Sequence, residues 1–168
     1  MEWFKVAQGS WNYPEASLLR VFDVPLFTGF MYASVGSYIA RIIRLSDLRF
    51  EGMPVSWMTA FFALLVYANF ITHHYIWDMR WALFGLSLLL FWRASVGREV
   101  MWPLLAVFLL GAGAMYIAEN IGTLSGTWIY AGQARWELVR FAKFGSWYLL
   151  LFVSFALVYL PLRRAGEA

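Results

Sequence analysis

The stretch VMWPLLAVFLLGAGAMYIAEN, from Val100 to Asn120, decides the class of this chain. It carries no charge from Val100 to Ala118 and stops at Glu119. A helix over those residues rises about 28 Å, close to the ~30 Å of a bilayer's hydrocarbon core. Three further charge-free runs lie to either side of it. Val24 to Ala40 ends at Arg41, Val55 to Ile71 ends in Thr72-His73-His74, and Phe144 to Leu162 ends at Arg163-Arg164. A shorter run, Trp81 to Trp92, lies between Arg80 and Arg93. It covers only about 18 Å, so it spans only if both arginines snorkel to opposite surfaces or Arg80 is neutralised inside the bundle. The pattern predicts an all-α, polytopic transmembrane helix bundle of about five spans, near 24–43, 55–73, 78–95, 100–120 and 140–162. Together they form a single integral-membrane domain over residues 1–168.

Composition agrees. Hydrophobic residues make 62% of the chain and charged residues 14%, too few to cover a soluble domain of this size. The ten Trp suit membrane–water boundaries, where an apolar ring and one polar edge are both satisfied. The net charge of +3 is scattered between apolar blocks and forms no basic stripe, which argues against nucleic acid. Cysteine is absent, so disulfides and Cys-ligated metals are excluded. Met1 to Tyr13 mixes polar and aromatic residues and does not read as a signal peptide. With five spans, one side holds Arg41, Arg44, Arg49, Arg93, Arg98, Arg163 and Arg164. The other holds Lys5, Arg20, Arg80, Arg135, Arg140 and Lys143, a tally of seven to six. The positive-inside rule makes the first side cytoplasmic.

A faint internal repeat runs at an offset of 117 residues. Gly9-Ser10-Trp11-Asn12-Tyr13 matches Gly126-Thr127-Trp128-Ile129-Tyr130, and Glu2, Phe27 and Ser37 meet Glu119, Phe144 and Ser154. The offset contains an even number of spans, so both copies take the same orientation. Glu119 follows a long apolar helix while Glu2 follows nothing, so a preceding helix is expected to be missing. The polar residues fall on one membrane face. Glu2, Lys5, Asn12 and Glu15 lie there with Asn69, Thr72, His73, His74, Asp78 and Arg80, and with Glu119, Asn120, Thr123, Lys143 and Ser146. Ionisable residues at membrane depth are costly and mark functional sites by default.

Several of these blocks carry a resemblance. They are Phe4-Lys5-Val6, Gly9-Ser10-Trp11-x-Tyr13-Pro14-Glu15, and Val24-Pro25-Leu26-Phe27-x-Gly29-Phe30-Met31-Tyr32-Ala33-Ser34. They continue in Asn69-Phe70-x-Thr72-His73-His74-Tyr75, Asp78-x-Arg80-Trp81, Ala118-Glu119-Asn120-Ile121, and Trp128-x-Tyr130 leading to Ser146-Trp147. Over essentially its whole length the chain resembles the bacterial YoaT-like membrane family, catalogued as a domain of unknown function. The resemblance implies a multi-pass protein of the bacterial cytoplasmic membrane. It also implies further amino-terminal helices, in line with the helix expected before Glu2. It brings no activity. The repeated glutamate and Trp-x-Tyr pattern alone is similar to integral-membrane carotenoid cyclases and hydratases, which protonate isoprenoid double bonds with acidic residues.

The chemistry can be weighed residue by residue. Glu119 ends an apolar run, so burial makes it a candidate acid, with Asn120 and Thr123 at hand; the alternative is a carboxylate at the water interface. His73 and His74 point about 100° apart on a helix, so a shared metal needs a helix break there. His74 and Asp78 share a face at i, i+4, as do Asn69 and His73. Three readings stay open: zinc or iron on these groups and Glu119, a hydrogen-bonded His–carboxylate pair, or interfacial caps of the helix. No cofactor is predicted, and zinc or iron is the alternative. Asp78 and Arg80, at i, i+2, do not face each other on a helix, so each is expected to pair elsewhere or to fix the corner. The candidate catalytic residues are Glu119, His73, His74, Asp78 and Arg80. Asn69, Asn120, Trp11, Trp128, Tyr130 and Lys143 are candidate substrate-binding residues, and the Trp-x-Tyr loops read otherwise as interface anchors. Three functions compete: a membrane-embedded acid–base enzyme on a lipophilic, isoprenoid-like substrate, a small transporter or proton-linked carrier, and a non-catalytic membrane component. The partners are the lipid bilayer and a lipophilic small molecule, with oligomerisation left open.

Overall fold

In the computed structural model the described residues are 2–14, 17–134 and 136–166. Glu15 and Arg135 lie outside them. Most of the chain is helical. A short α1 (Glu2–Ala7) precedes α2 (Phe27–Leu45), α3 (Ser56–Thr72), α4 (Arg80–Phe91), α5 (Leu104–Leu124) and α6 (Ala142–Ala165). The five long helices fall on the five apolar runs, with shifted ends. Val24-Pro25 forms a strand, so α2 starts at Phe27. Pro103 forms the N-cap of α5, and α6 passes through Pro161 to a left-handed Gly166.

The all-α expectation needs correction, because short antiparallel strands fill the connections. They are β1 (Trp11–Asn12), β2 (Arg20–Val21), β3 (Val24–Pro25), β4 (Arg49–Glu51), β5 (Ser95–Gly97), β6 (Met101–Pro103) and β7 (Ile129–Tyr130). β4, β5 and β6 make a three-stranded sheet, with Phe50 opposite Val96 and Val96 opposite Trp102. The cause is backbone accounting. Ala94, Val96 and Gly97 are buried, so their peptide groups need partners, and a ladder supplies them where helix does not continue.

α6 is the central helix and packs against α2, α3, α4 and α5. Phe152 centres the core, with ring centroids 4.3 Å from Phe108, 4.8 Å from Phe91 and 5.2 Å from Phe62. Among the described residues only α5 and α6 are long and apolar enough to cross a membrane on length and composition alone. α3 and α4 are apolar but shorter, with 17 and 12 residues. The expected bundle of five complete spans is therefore not supported by helix length and apolarity. Buried side chains make only 22% of the most apolar window of α5.

Candidate functional site

The repeat has a direct structural counterpart. Glu2 accepts hydrogen bonds at Oε2 from Trp11 Nε1 at 3.0 Å and from the Tyr13 hydroxyl at 2.7 Å. Glu119 accepts at Oε1 from Trp128 Nε1 at 2.8 Å and from the Tyr130 hydroxyl. Both units therefore use the same spacing, a carboxylate serving an indole nine residues on and a phenol eleven residues on. β1 and β7 pair antiparallel, with Trp11 opposite Tyr130 and Asn12 opposite Ile129. Asn12 and Ile129 occupy equivalent repeat positions, so the two loops meet about a local two-fold axis. α2 and α6 both begin at the resulting cavity, lined by Phe27 and Tyr32 from one and by Lys143 and Trp147 from the other. The two helices leave it in the same direction.

The two carboxylates differ in their donors. Glu2 Oε1 accepts a third bond from Tyr32 at 2.6 Å. The residue 117 positions after Tyr32 is Leu149, which has no hydroxyl. Glu119 is 2% exposed, and its Oε2 has no hydrogen-bond partner among the described residues. Lys143 does not neutralise it by direct contact. Its Nζ sits 3.6 Å from the Tyr130 ring centroid and 5.6 Å from that of Trp11. No hydrogen bond or ion pair ties that ammonium to the described residues. The ammonium therefore takes part in a cation–aromatic arrangement and makes no ion pair with Glu119. The Tyr13 and Tyr130 hydroxyls are pushed well above the usual phenol range, first by burial and then by the carboxylate each one serves. Both stay protonated donors.

The histidines converge on an ammonium. Lys5 Nζ lies 2.8 Å from His74 Nε2 and 3.3 Å from His73 Nε2. His73 Nδ1 faces the Asn69 carbonyl at 2.8 Å, so that nitrogen carries the hydrogen and Nε2 accepts from Lys5. Burial lowers the His74 pKa, and Lys5 and His73 lower it further. Nε2 of both histidines therefore faces the Lys5 ammonium. Among the described residues no group of three His, Asp or Glu could hold a metal.

Lys5 is buried, and burial, with the Arg80 charge, lowers its pKa to about 8 against the opposing pull of Asp78. The unfolded chain binds the Lys5 proton more tightly, so stability rises with pH from about 8 towards 10.5, the ordinary value for lysine. Thermal unfolding in detergent should show a positive Tm slope across that window. Lys5→Met should reduce the slope, and an unchanged slope in the variant would assign it elsewhere.

Asp78 precedes α4, so the helix spacing rule does not apply, and it pairs with Arg80 after all. Asp78 Oδ2 lies 2.9 Å from the Arg80 guanidinium, and Oδ1 accepts from the Arg80 backbone N–H and from Asn69 Nδ2. Burial raises the Asp78 pKa, but the Asn69 and backbone hydrogen bonds, helped by the Arg80 charge, outweigh it and hold the carboxyl low. Arg80 also donates to the Ala142 carbonyl, tying the α3–α4 corner to the start of α6. Asn69 is committed to that corner through Asp78 and the Met79 N–H. Asn120 bonds the Tyr116 carbonyl and the Val139 N–H, pinning the loop before α6.

One cavity of about 110 Å³ therefore brings together Glu119, His73, Asn69, Arg80, Trp11, Trp128, Tyr130 and Lys143. His74 and Asp78 stand behind it, joined through Lys5 and Arg80, and Asn120 does not line it. Glu2, Lys5, Tyr13 and Tyr32 also line it, and none of them is among the site residues the sequence predicts. The repeat carries the signal for Glu2 and Tyr13. Nothing in the sequence pattern marks Tyr32.

These features define a helical protein with two carboxylate–indole–phenol units facing one polar cavity. The chain belongs to the family described as "Protein of unknown function (DUF817)", whose model matches residues 1–155. It is 42% identical over 164 residues to the "Uncharacterized protein YoaT" of Bacillus subtilis (strain 168), an alignment covering 94% of this chain and 62% of that relative. No solved structure matches.

Proposed function

We propose that this chain is a multi-pass protein of the bacterial cytoplasmic membrane that performs acid–base chemistry on a lipophilic, isoprenoid-like substrate, with Glu119 as the acid. The observation that carries the chemical part is the unpartnered, buried Oε2 of Glu119 beside a fully engaged Oε1. The donors on Oε1 fix the carboxyl, and the other oxygen is left to hold or deliver a proton. Glu2, served by three donors, is the structural counterpart. Arg80 and Asp78 position the corner, and Lys5 with the two histidines sets the local charge. The far end is packed with the Phe62–Phe91–Phe108–Phe152 core and the β4–β5–β6 sheet, which speaks against an open water path through both faces.

Exposed apolar stripes support the membrane part. Trp57, Phe61 and Leu64 are 68%, 54% and 61% exposed at helical spacing on α3, and Leu110, Ile117 and Ile121 repeat the pattern on α5. Short α4 gains depth from the extended segment after it, whose backbone is buried and paired as lipid demands.

Two experiments test this. Single cysteines at Ser46 and Glu99 should label from one side of the membrane, and cysteines at Ser125 and Ala131 from the other; labelling of all four from one side refutes the topology. Gly97 is unsuitable as a probe, because a Cβ there would meet the Val100 carbonyl oxygen at 2.0 Å. Lipids co-purifying with wild type and with Glu119→Gln should differ by isomerisation or by a water, read by chromatography and mass spectrometry. Identical profiles would sink the acid role.

A further inference from the structure

A second, larger hollow adjoins the polar cavity. It is an open groove of about 540 Å³ between α2 and α6, within the ~300–1,000 Å³ range of small-molecule sites. Its walls are mostly apolar, with Val153, Leu157 and Val158 on the α6 side. Gly29 and Gly36, seven residues apart on one face of α2, leave it open. A Cβ at Gly29 would meet nothing within 4 Å, and one at Gly36 would only touch Val158. Glu2, Tyr32 and Leu150 line both spaces, so the groove and the cavity meet along a shared wall of three side chains.

The head end is small and doubly unsatisfied. At about 110 Å³ the cavity is below the ~150 Å³ that admits benzene, so it suits a head of very few heavy atoms. Glu119 Oε2 lacks a donor, and the Lys143 ammonium, resting on two aromatic faces, lacks an acceptor among the described residues. A single hydroxyl answers both, because it donates one hydrogen bond and accepts others. A hydrocarbon answers neither, and a carboxylate answers both only while Glu119 is protonated.

We propose that the α2–α6 groove and the Glu119–Lys143 cavity together bind a long-chain alcohol, its hydroxyl between Glu119 and Lys143 and its chain along Gly29 and Gly36. This rests on the lipophilic-substrate reading and narrows it to one chemical class. Tritiated farnesol binding to the protein in phosphatidylcholine nanodiscs tests it, with farnesene and farnesoic acid as competitors. Farnesol should bind at least about tenfold more tightly than farnesene, the scale of a hydrogen bond to a charged group. Lys143→Met should remove that preference while leaving farnesene binding unchanged. Gly29→Leu, whose Cβ meets nothing within 4 Å and whose side chain would occupy the groove, should weaken both ligands about tenfold at an unchanged Tm. Equal binding of farnesol and farnesene, or wild-type binding by Gly29→Leu, overturns the proposal. Tighter binding of farnesoic acid replaces the alcohol by an anion and leaves the lipophilic-substrate reading intact. Binding of none of the three above empty nanodiscs removes both.

Discussion

Glu119→Leu should destabilise the protein by about 2–4 kcal/mol, whereas Glu119→Gln should cost about 1 kcal/mol or less. Leucine fills the space but accepts nothing. Trp128 Nε1 and the Tyr130 hydroxyl then lose their common acceptor in a part-buried site, and a buried unsatisfied donor costs about 1–3 kcal/mol. Part of the loss is offset, because the wild-type carboxyl already carries an unpartnered oxygen at 2% exposure. Glutamine keeps an amide oxygen where both donors point, places an NH2 where Oε2 stood, and cannot carry the charge or transfer a proton. The pair therefore separates architecture from chemistry. Denaturant titration in mild detergent, followed by tryptophan fluorescence, measures both costs, and Trp128 itself reports the loss of its acceptor. Equal costs for the two variants would mean that the donors on Oε1 do not hold this end of the bundle together.

The contrast with Glu2 shows what sequence alone can and cannot reveal. Charge-free runs mark five of the helices, because a long apolar run between polar flanks forms a helix whether lipid or protein covers it. The glutamate and Trp-x-Tyr repeat marks both carboxylate units, since equal spacing on equal local structure gives equal hydrogen bonds. Tyr32 is invisible in the sequence because its bond to Glu2 crosses from α2 to α1, and a single sequence does not encode that approach. Lys5 is visible only as a polar residue. Its role between His73 and His74 depends on α1 reaching the end of α3, a contact separated by 68 residues. Helix spacing misjudges the Asp78–Arg80 pair because it extends the helix to Asp78, whereas α4 starts at Arg80. The sheet escapes a reading by periodicity because its strands are three residues long, below the length at which alternation can be read.

The same sheet carries the other large effect. Gly52→Ala should cost more than about 4 kcal/mol and prevent accumulation of folded protein, a value beyond most point substitutions. Gly52 has φ +62°, where a Cβ costs about 1–2 kcal/mol by itself. That Cβ would also stand 2.2 Å from the Arg93 carbonyl oxygen and 2.9 Å from its carbon. These are backbone atoms, so no rotamer change relieves the overlap. Relief requires β4 to part from β5, which breaks the pairing of Phe50 with Val96 and Glu51 with Ser95. Phe50 would then leave its ring contacts with Phe155 and Tyr159 on α6, at 5.5 and 4.9 Å, and the central helix would lose its support at this end. Gly126→Ala supplies the control. Gly126 has φ +82°, and a methyl added there would meet open space, so only the conformational cost of about 1–2 kcal/mol applies. Yield in the membrane fraction and Tm after extraction should rank wild type above Gly126→Ala and Gly126→Ala far above Gly52→Ala. If the two variants behave alike, the close approach of Arg93 to Gly52 is not what holds the sheet against α6.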